Sequence, residues 1–300
     1  MGRTTVAFFT PNLMRKFFYL LILLGSSWIS IAQQSSKHTF TAQPIKLGTS
    51  FTFYSTSLNE NRTINIYLPA SYDKETATSY PVIYLLDGSL DEDFIHIVGL
   101  VQFTSFSWAQ LIPESIVVGI SNVDRKRDFT YPTTNAKDKK DFQTTGGSKQ
   151  FIAYLENELQ PFIAKEFRVT TERTIIGQSL GGLLATEILW THPHLFSNYV
   201  IVSPSLWWDD NSLLSRPPER YRAGKHNPLK TSKKVFVAVG QEGPIMEAAA
   251  LGLAANLKTE KNIQTYFKYL DGLDHTNTLH QAVYEAFKVL YNKEKKANHD

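Results

Sequence analysis

Short apolar runs alternate with stretches of helical periodicity along most of the chain. The runs lie at residues 82–86, 115–120, 174–176, 198–203, 234–240 and 265–270. A run without polar alternation is typical of a strand covered on both faces, as in a mostly parallel sheet. Two earlier segments, His38 to about Ser57 and Asn61–Pro69, partly alternate apolar and polar residues, which indicates antiparallel strands. Together these segments predict a sheet of about eight strands.

Helices are predicted between the strands. The apolar residues recur at helical spacing within residues 91–108, 151–163, 180–190, 245–257 and 279–291. Strands that alternate with helices form a doubly wound α/β sheet, in which ligands gather at the carboxyl ends of the parallel strands. No internal repeat or linker divides residues 33–300, so a single domain is predicted. Residues 122–148 are polar and irregular, which is typical of a functional or mobile segment.

The N-terminus has the pattern of a secretory signal peptide. Arg15 and Lys16 precede the apolar run Phe17–Leu24, and small residues follow as far as Ala32. We therefore expect residues 1–32 to be removed and the protein to be exported to the periplasm or the extracellular space. Met14 stands directly before the basic pair and is expected to be the true start. The alternative is an uncleaved membrane anchor, but the apolar core is shorter than the ~20 residues that a spanning helix needs.

Charge and cysteine content exclude several classes of function. The formal net charge is +3, and removal of residues 1–32, which contain three basic residues and no acidic one, leaves a net charge of 0. Such a chain has no general attraction to nucleic acid or to acidic lipid, so we expect no nucleic-acid partner and no stable membrane insertion after signal removal. The chain has no cysteine, which excludes disulfides, thiolate metal sites and a cysteine nucleophile. The sequence carries no signal for an oligomeric state.

One strand runs into a Gly-x-Ser-x-Gly motif. Residues 174–176 lead into Gly177 and Ser179, and Gly181 opens the helical stretch that ends near Trp190. A strand, a tight turn and a helix in this order are typical of a nucleophile elbow, which pushes the serine hydroxyl out of the fold. Small residues are expected two positions either side of the serine, because the strand and the helix pass close there. The alternative interpretation is a glycine-rich turn whose serine has no role.

A serine needs a base, and His275 is the candidate. It is the histidine that follows the last predicted strand, where the base of an α/β-hydrolase lies. The alternative is an ordinary loop histidine. His280 is expected to lie inside the next helix, on the surface or at a cap. No His-Glu-x-x-His spacing occurs, so a zinc hydrolase is disfavoured and no metal is predicted.

The acid that orients the base should follow the strand before the last one. Glu242, in Gly240-Gln241-Glu242-Gly243-Pro244, has that position and is the leading candidate. Asp209 and Asp210 are the alternatives. Each of these carboxylates has a plain reading as a solvated loop charge, and a Ser–His dyad without a strong acid is a further alternative.

The tetrahedral intermediate of acyl transfer needs two backbone N–H donors. The first is expected from Leu180, directly after the nucleophile. The second is expected from the turn Asp87-Gly88-Ser89, with Ser89 as the first choice and Gly88 as the second. Asp87 is expected to brace this turn.

Several motifs resemble those of one hydrolase family. They are Tyr84-Leu85-Leu86-Asp87-Gly88, Arg127-Asp128 with Pro132, Gly177-Gln178-Ser179-Leu180-Gly181-Gly182, and His194-Leu195-Phe196 before Val202-Ser203-Pro204-Ser205-Leu206-Trp207-Trp208. Over residues 45–292 the chain is similar to the putative-esterase family of α/β-hydrolases, which includes enterochelin esterase-like proteins and relatives of esterase D. The last motif is the most specific, and it resembles exported bacterial hydrolases that include trilactone siderophore esterases.

This resemblance implies a serine esterase without a cofactor, acting on a small-molecule ester such as a siderophore lactone, an acyl sugar or a thioester. The sequence departs from the family in its acid, since Glu242 stands where an aspartate is common, and in the residues that follow His275. Trp207 and Trp208, with Tyr131, are candidates to wall a substrate pocket, and Arg127 to meet anionic groups of the substrate.

These residues, and the chain as a whole, also have alternative interpretations. One of the two tryptophans has a plainer reading as a core residue, and Arg127–Asp128 as a loop-bracing ion pair. For the whole chain, the rival functions are a carbohydrate esterase, acetyl or feruloyl, and a catalytically silent binding protein on a hydrolase scaffold.

Overall fold

The computed structural model describes Gly2, residues 40–215 and residues 232–291. The chain divides into two units, Met1–Lys46 and Leu47–Asp300, and the helices and strands of the described residues lie in the second. In the first unit, residues 40–46 form no helix or strand. The expected signal segment, its cleavage point near Ala32 and the start at Met14 lie outside the described residues. No helix in the described ranges is long and apolar enough to cross a membrane.

The second unit is built on one eight-stranded sheet. Its strands are β1 Thr49–Ser55, β2 Glu60–Tyr67, β3 Tyr80–Leu85, β4 Ile116–Ile120, β5 Val169–Gln178, β6 Asn198–Val202, β7 Lys233–Gly240 and β8 Ile263–Leu270. Their order in the sheet is β1-β2-β4-β3-β5-β6-β7-β8. The pairs β1/β2 and β2/β4 are antiparallel, and every pair from β4 to β8 is parallel. The predicted fold class, a mostly parallel doubly wound sheet of about eight strands, is confirmed.

Helices cover both faces of the sheet. They are α1 Phe94–Ser105, α2 Arg125–Phe129, α3 Ala136–Asp141, α4 Ser148–Tyr154, α5 Gln160–Glu166, α6 Leu180–Thr191, α7 Trp208–Ser215, α8 Pro244–Lys258 and α9 Thr278–Leu290. Helices α1 and α9 pack on one face with residues such as Phe236, and α4, α5, α6 and α8 pack on the other with residues such as Val237. Neighbouring strand residues point to opposite faces, so an unbroken apolar run is needed to fill both layers.

The register brings the ends of the central strands to one edge. Gln178 of β5 pairs with Val202 of β6, and Val202 pairs with Ala238 of β7. Because β7 and β8 also end together, with Gly240 opposite Leu270, the segments that follow these four strands begin side by side. Side chains far apart in the sequence therefore meet at this edge.

Two expectations about element boundaries need correction. Residues 122–148 are not wholly irregular, since they contain α2, α3 and the first residue of α4, and Asp124 and Asn135 cap α2 and α3 with their side chains. Strand β5 begins at Val169, earlier than its apolar run at 174–176. Its first half is only partly buried and pairs with β3 across a register shift, which explains the polar residues there.

Candidate active site

The turn between β5 and α6 holds Ser179 in a conformation that is rare for a residue with a side chain. Its φ is 59° and its ψ is −118°, and it stands directly before the first residue of α6. Strained backbone of this kind persists only where its surroundings enforce it. Gly177 lets the strand and the helix pass close together, because a Cβ on it would lie 2.4 Å from Gly181 O. A Cβ on Gly181 would meet nothing closer than 3.4 Å, so the tight side of the turn is at Gly177.

The last residue of β6 and the segment after it also hold the serine. The Ser179 N–H donates to Val202 O at 3.1 Å, and the Ser205 N–H donates to Ser179 O at 3.0 Å. The hydroxyl of Ser179 forms its hydrogen bond with Ser205 Oγ, at 3.2 Å. In this geometry the serine expected to be the nucleophile contacts a second serine rather than the imidazole of the expected base. Hydrogen bonds to a base commonly tighten only when substrate binds.

His275 lies in the loop between β8 and α9, and Glu242 lies just after β7. His275 Nδ1 is 2.5 Å from Glu242 Oε2, so the acid and the base expected from the sequence are in direct contact. The histidine side chain is 45% exposed and the glutamate side chain 3% exposed, so a buried acid supports an accessible base. Gln178 Nε2 donates to His275 O at 2.5 Å and ties the histidine loop to the residue before Ser179.

The carboxyl of Glu242 is held at both oxygens. Its Oε1 accepts hydrogen bonds from Ser203 Oγ and from the Gly240 N–H. Burial raises the pKa of Glu242, but the hydrogen bonds from His275 and Ser203 lower it by more, so this pKa lies below its ordinary value. Glu242 is therefore a carboxylate at neutral pH, which is the form that stabilises a protonated imidazole.

The alternative acids have other partners. Asp209 accepts hydrogen bonds from the Thr134 N–H and hydroxyl, and Asp210 accepts one from Asn135 Nδ2. Both aspartates have positive φ angles at the start of α7. They join α7 to the segment before α3 and do not contact His275.

The expected oxyanion donors are placed differently from one another. Leu180 is the first residue of α6, where a helix leaves its N–H groups without intrahelical partners. The Ser89 N–H, in the turn after β3, donates to Glu92 Oε2 at 3.3 Å. The Gly88 N–H is committed to Ile120 O at 2.9 Å, so Ser89 is the better placed donor of that turn.

Two arginines of α2 differ in their partners. Arg127 pairs with Glu60 and Asp128, which gives its guanidinium the role of a loop brace. Arg125 instead makes two hydrogen bonds with Asp87, and its Nη2 donates to Gln178 O at 3.3 Å. Arg125 thus joins the turn after β3 to the residue that precedes Ser179.

The two tryptophans differ in exposure. Trp208 is fully buried, and its Nε1 donates to Tyr131 O at 2.9 Å. Trp207 is half-buried and lies 5.9 Å from Phe142, measured between ring centroids. Of the pair, Trp207 therefore keeps an exposed part of its ring, and Trp208 packs against it from the core.

Sequence reasoning missed four residues of this site. Ser203 contacts Glu242, and Ser205 contacts Ser179. Gln178 contacts the backbone of His275, and Arg125 contacts the backbone of Gln178. Ser203 and Ser205 belong to a motif on which the family resemblance rests. The motif therefore pointed to these two residues, but it did not show which side chains they contact. In the described ranges no cluster of three or more His, Asp or Glu side chains could hold a metal ion.

Comparison with known proteins identifies the family. The model of the Esterase family, described as "Putative esterase", matches residues 55–293. The chain belongs to this family. The prediction that the chain belongs to the putative-esterase family is thereby confirmed. The activity that the description of this family names is the hydrolysis of esters.

Several named proteins and solved structures are similar to this chain. The ferri-bacillibactin esterase BesA of Bacillus subtilis is 32% identical over 173 residues, which are 53% of this chain and 60% of BesA. The aligned region therefore spans less than two thirds of that relative. An IroE-like serine hydrolase from Shewanella oneidensis is 29% identical, with a TM-score of 0.68 over 81% of this chain and 80% of the other. The BES protein from Bacillus cereus is 26% identical, with a TM-score of 0.71 over 85% and 99%.

Proposed function

We propose that this esterase-family protein is a serine hydrolase of carboxylic esters, in which Ser179 is the nucleophile, His275 the base and Glu242 the acid. The observation that carries the proposal is the contact of His275 Nδ1 with Glu242 Oε2 beside the strained elbow of Ser179. The contact leaves Nε2, the other ring nitrogen, to take a proton from the serine. No cofactor enters this chemistry.

In acylation, His275 Nε2 takes the proton of Ser179 Oγ as that oxygen bonds to the ester carbonyl carbon. The carbonyl π electrons move to its oxygen, and the N–H groups of Leu180 and Ser89 stabilise the resulting oxyanion. The Ser89 N–H must then exchange Glu92 for the oxyanion. When the intermediate collapses, the bond to the alkoxy group breaks and the leaving alcohol takes the proton from His275.

In deacylation, water replaces the alcohol. His275 takes a proton from the water, the hydroxide bonds to the acyl carbon, and the second tetrahedral intermediate forms in the same oxyanion site. Collapse of this intermediate returns the proton to Ser179 Oγ and releases a carboxylic acid. Glu242 remains ionised throughout, as its lowered pKa favours.

The substrate class that we propose is the ester bonds of siderophores. The name of BesA, a ferri-bacillibactin esterase, supports this choice. The half-buried ring of Trp207 comes two residues after Ser205, whose hydroxyl contacts the nucleophile, and an aromatic acyl group is a suitable partner for it. The Arg125 side chain is 33% exposed, but its guanidinium is paired with Asp87, so in this proposal it braces the elbow and does not bind the substrate.

We also propose that the protein is exported. This part rests on the sequence pattern of residues 1–32, with cleavage expected near Ala32. Mass spectrometry of the mature N-terminus after expression in a bacterial host tests it. A mature chain that starts near Gln33 supports export, and a chain that retains residues 1–32 contradicts the cleavage.

The central test is hydrolysis of p-nitrophenyl butyrate and of a cyclic catecholate trilactone, with and without iron. Ser179→Ala and His275→Ala should each lower kcat by about 10⁴-fold or more, because the nucleophile and base act as a unit. Ser105→Ala and His194→Ala are matched controls. Ser105 lies at the end of α1, and His194 makes a similar contact with Glu156 at the other end of α6.

The outcomes separate the rival functions. Preference for the trilactone over acetylated or feruloylated sugars supports the siderophore substrate, and the reverse preference supports a carbohydrate esterase. A protein that binds the trilactone but hydrolyses no ester is a silent binding protein. Full activity of Ser179→Ala would show that the elbow is not the site.

A further inference from the structure

A second serine hydroxyl lies against the nucleophile. Ser205 Oγ is 3.2 Å from Ser179 Oγ, and Ser205 is only 2% exposed. The Ser205 N–H also donates to Ser179 O. One bond through the backbone and one through the side chain therefore join the two residues.

The fold fixes Ser205 in this place. The pairing of Gln178 with Val202 brings the end of β6 beside the elbow. Ser203 then turns the chain, with a φ of 43°, while its N–H donates to Ala238 O and its hydroxyl to Glu242. Two residues later the chain delivers the Ser205 side chain to the nucleophile. The same short segment thus holds both the acid and the nucleophile.

Proton accounting decides the direction of the bond between the hydroxyls. Each hydroxyl has one proton to donate. The proton of Ser179 must point toward the imidazole of His275 when the serine attacks. Ser205 Oγ is buried, and a buried hydroxyl needs an acceptor. Within residues 40–215 and 232–291, Ser179 Oγ is the side-chain atom that it contacts. In the reacting arrangement Ser205 is therefore the donor.

We propose that Ser205 is a catalytic residue whose hydroxyl donates a hydrogen bond to Ser179 Oγ while that oxygen carries developing negative charge. The inference rests on the proposed function, since it adds a residue to the same site. Ser205 keeps its own proton in every step, so it acts as a fixed donor and not as an acid.

The hydrogen bond acts twice in the cycle. In acylation the proton of Ser179 passes to His275, and Ser205 stabilises the attacking oxygen until its bond to the acyl carbon has formed. In deacylation the bond between the acyl carbon and Ser179 Oγ breaks, and Ser205 stabilises the departing oxygen until His275 returns the proton. Between these steps Oγ is an ester oxygen, which is a weaker acceptor, so the bond is strongest where charge develops.

The test compares Ser205→Ala with Ser115→Ala. Ser115 is also buried, and its hydroxyl donates to Pro113 O before β4 begins, away from the site. Both variants lose one buried hydroxyl bond, so their melting temperatures should fall by similar amounts. Ser205→Ala should lower kcat for p-nitrophenyl butyrate by about 10- to 100-fold with little change in KM, because the lost bond is to a charged oxygen. Ser115→Ala should leave kcat unchanged.

A second readout does not depend on the ester. Diisopropyl fluorophosphate reacts with an activated serine by forming an O–P bond as fluoride leaves and the proton passes to the base. Its rate constant on the full chain should fall in Ser205→Ala by about the same factor as kcat. If the esters are not hydrolysed but this difference persists, the proposed function fails and the role of Ser205 stands.

Two results overturn the inference. The first is a Ser205→Ala protein that reacts with diisopropyl fluorophosphate as fast as the wild type. The second is a loss of hydrolysis in Ser205→Ala that persists when Ser179 has also been replaced. In a Ser179→Ala background, Ser205→Ala should not lower the residual hydrolysis further, because it acts through Ser179 Oγ. A further loss of the same size would assign Ser205 a structural role.

Discussion

The carboxylate of Glu242 contacts the imidazole of His275, with 2.5 Å between Oε2 and Nδ1. Its second oxygen accepts bonds from Ser203 and Gly240, so the carboxylate cannot turn without losing them. The imidazole is therefore oriented by an acid that is itself held in place. This arrangement suits a base that must present Nε2 to a nucleophile.

We expect Glu242→Gln to lower kcat by about 10³- to 10⁴-fold with a smaller change in KM. The amide is uncharged, so it no longer stabilises the imidazolium that forms when Ser179 is deprotonated. Steady-state kinetics with p-nitrophenyl butyrate measures the effect. Glu156→Gln is the matched control, because Glu156 makes a similar contact with His194 outside the site. Equal kcat values for Glu242→Gln and the wild type would show a dyad that needs no acid.

Arg125 and Arg127 should separate activity from stability. Arg125→Ala removes the link between Asp87 and Gln178 O, and we expect kcat/KM to fall by about 10-fold or more because the turn that carries Ser89 loses its brace. Arg127→Ala leaves the buried Asp128 with one arginine partner fewer, and we expect lower thermal stability with kcat/KM nearly unchanged. Steady-state kinetics and thermal melts of both variants check this prediction. A loss of stability in Arg125→Ala with a loss of activity in Arg127→Ala would contradict it.

Trp207 and Trp208 should differ in the same way. Trp208→Ala creates a cavity in the core and should destabilise the protein by about 3–5 kcal/mol. Trp207→Phe should preserve stability and raise KM for aromatic acyl esters more than for p-nitrophenyl acetate, because the larger ring offers more surface for stacking. Denaturant unfolding and a comparison of the two ester types measure these effects. An equal change of KM for both esters would argue against an aromatic pocket at Trp207.

Glu187 predicts a dependence of stability on pH. Burial raises the pKa of its carboxyl from 4.5 to about 7, and the hydrogen bond from Ser148 only partly opposes this. Since the folded pKa is above the unfolded one, the stability from proton binding is complete below pH 4.5 and is lost as the pH rises through about 7. Glu187→Gln should therefore raise the free energy of unfolding at pH 8.5 by up to about 3 kcal/mol, which raises the melting temperature by several degrees. At pH 4 the melting temperature should change little.

The control for this prediction is Glu166→Gln, since the Glu166 side chain is 44% exposed and its ion pair within the described residues is with Lys165, at 3.5 Å. Its melting temperature should follow that of the wild type at both pH values. A shift for Glu187→Gln that is equal at pH 4 and pH 8.5 would show that the effect does not come from ionisation.

Local patterns were sufficient for the fold class. Unbroken apolar runs such as Val82–Leu86 predict buried strands, and the glycines around Ser179 predict a tight turn between a strand and a helix. The position of His275 after the last strand was also readable, because chain order and strand order coincide along this side of the sheet. These features depend on residues that are neighbours in the sequence.

Contacts between distant segments were not readable. The sequence left Glu242, Asp209 and Asp210 open as acids, and the ends of β7 and β8 decide that Glu242 lies on the imidazole. The contact of Ser205 with Ser179 depends in the same way on the register of β5 and β6. A register is set by the packing of whole strands, and no local motif states it.

Small differences of position within one motif needed the tertiary structure as well. Arg125 and Arg127 are two residues apart on α2, so their side chains leave the helix about 200° apart and meet different partners. Trp207 and Trp208 are adjacent, yet only the second is fully buried. By itself the sequence determined that a strand, a serine turn and a late histidine occur in hydrolase order, because local propensity and chain order encode these. The tertiary structure decided which carboxylate, which arginine and which second serine reach them, because only packing sets distances between distant residues.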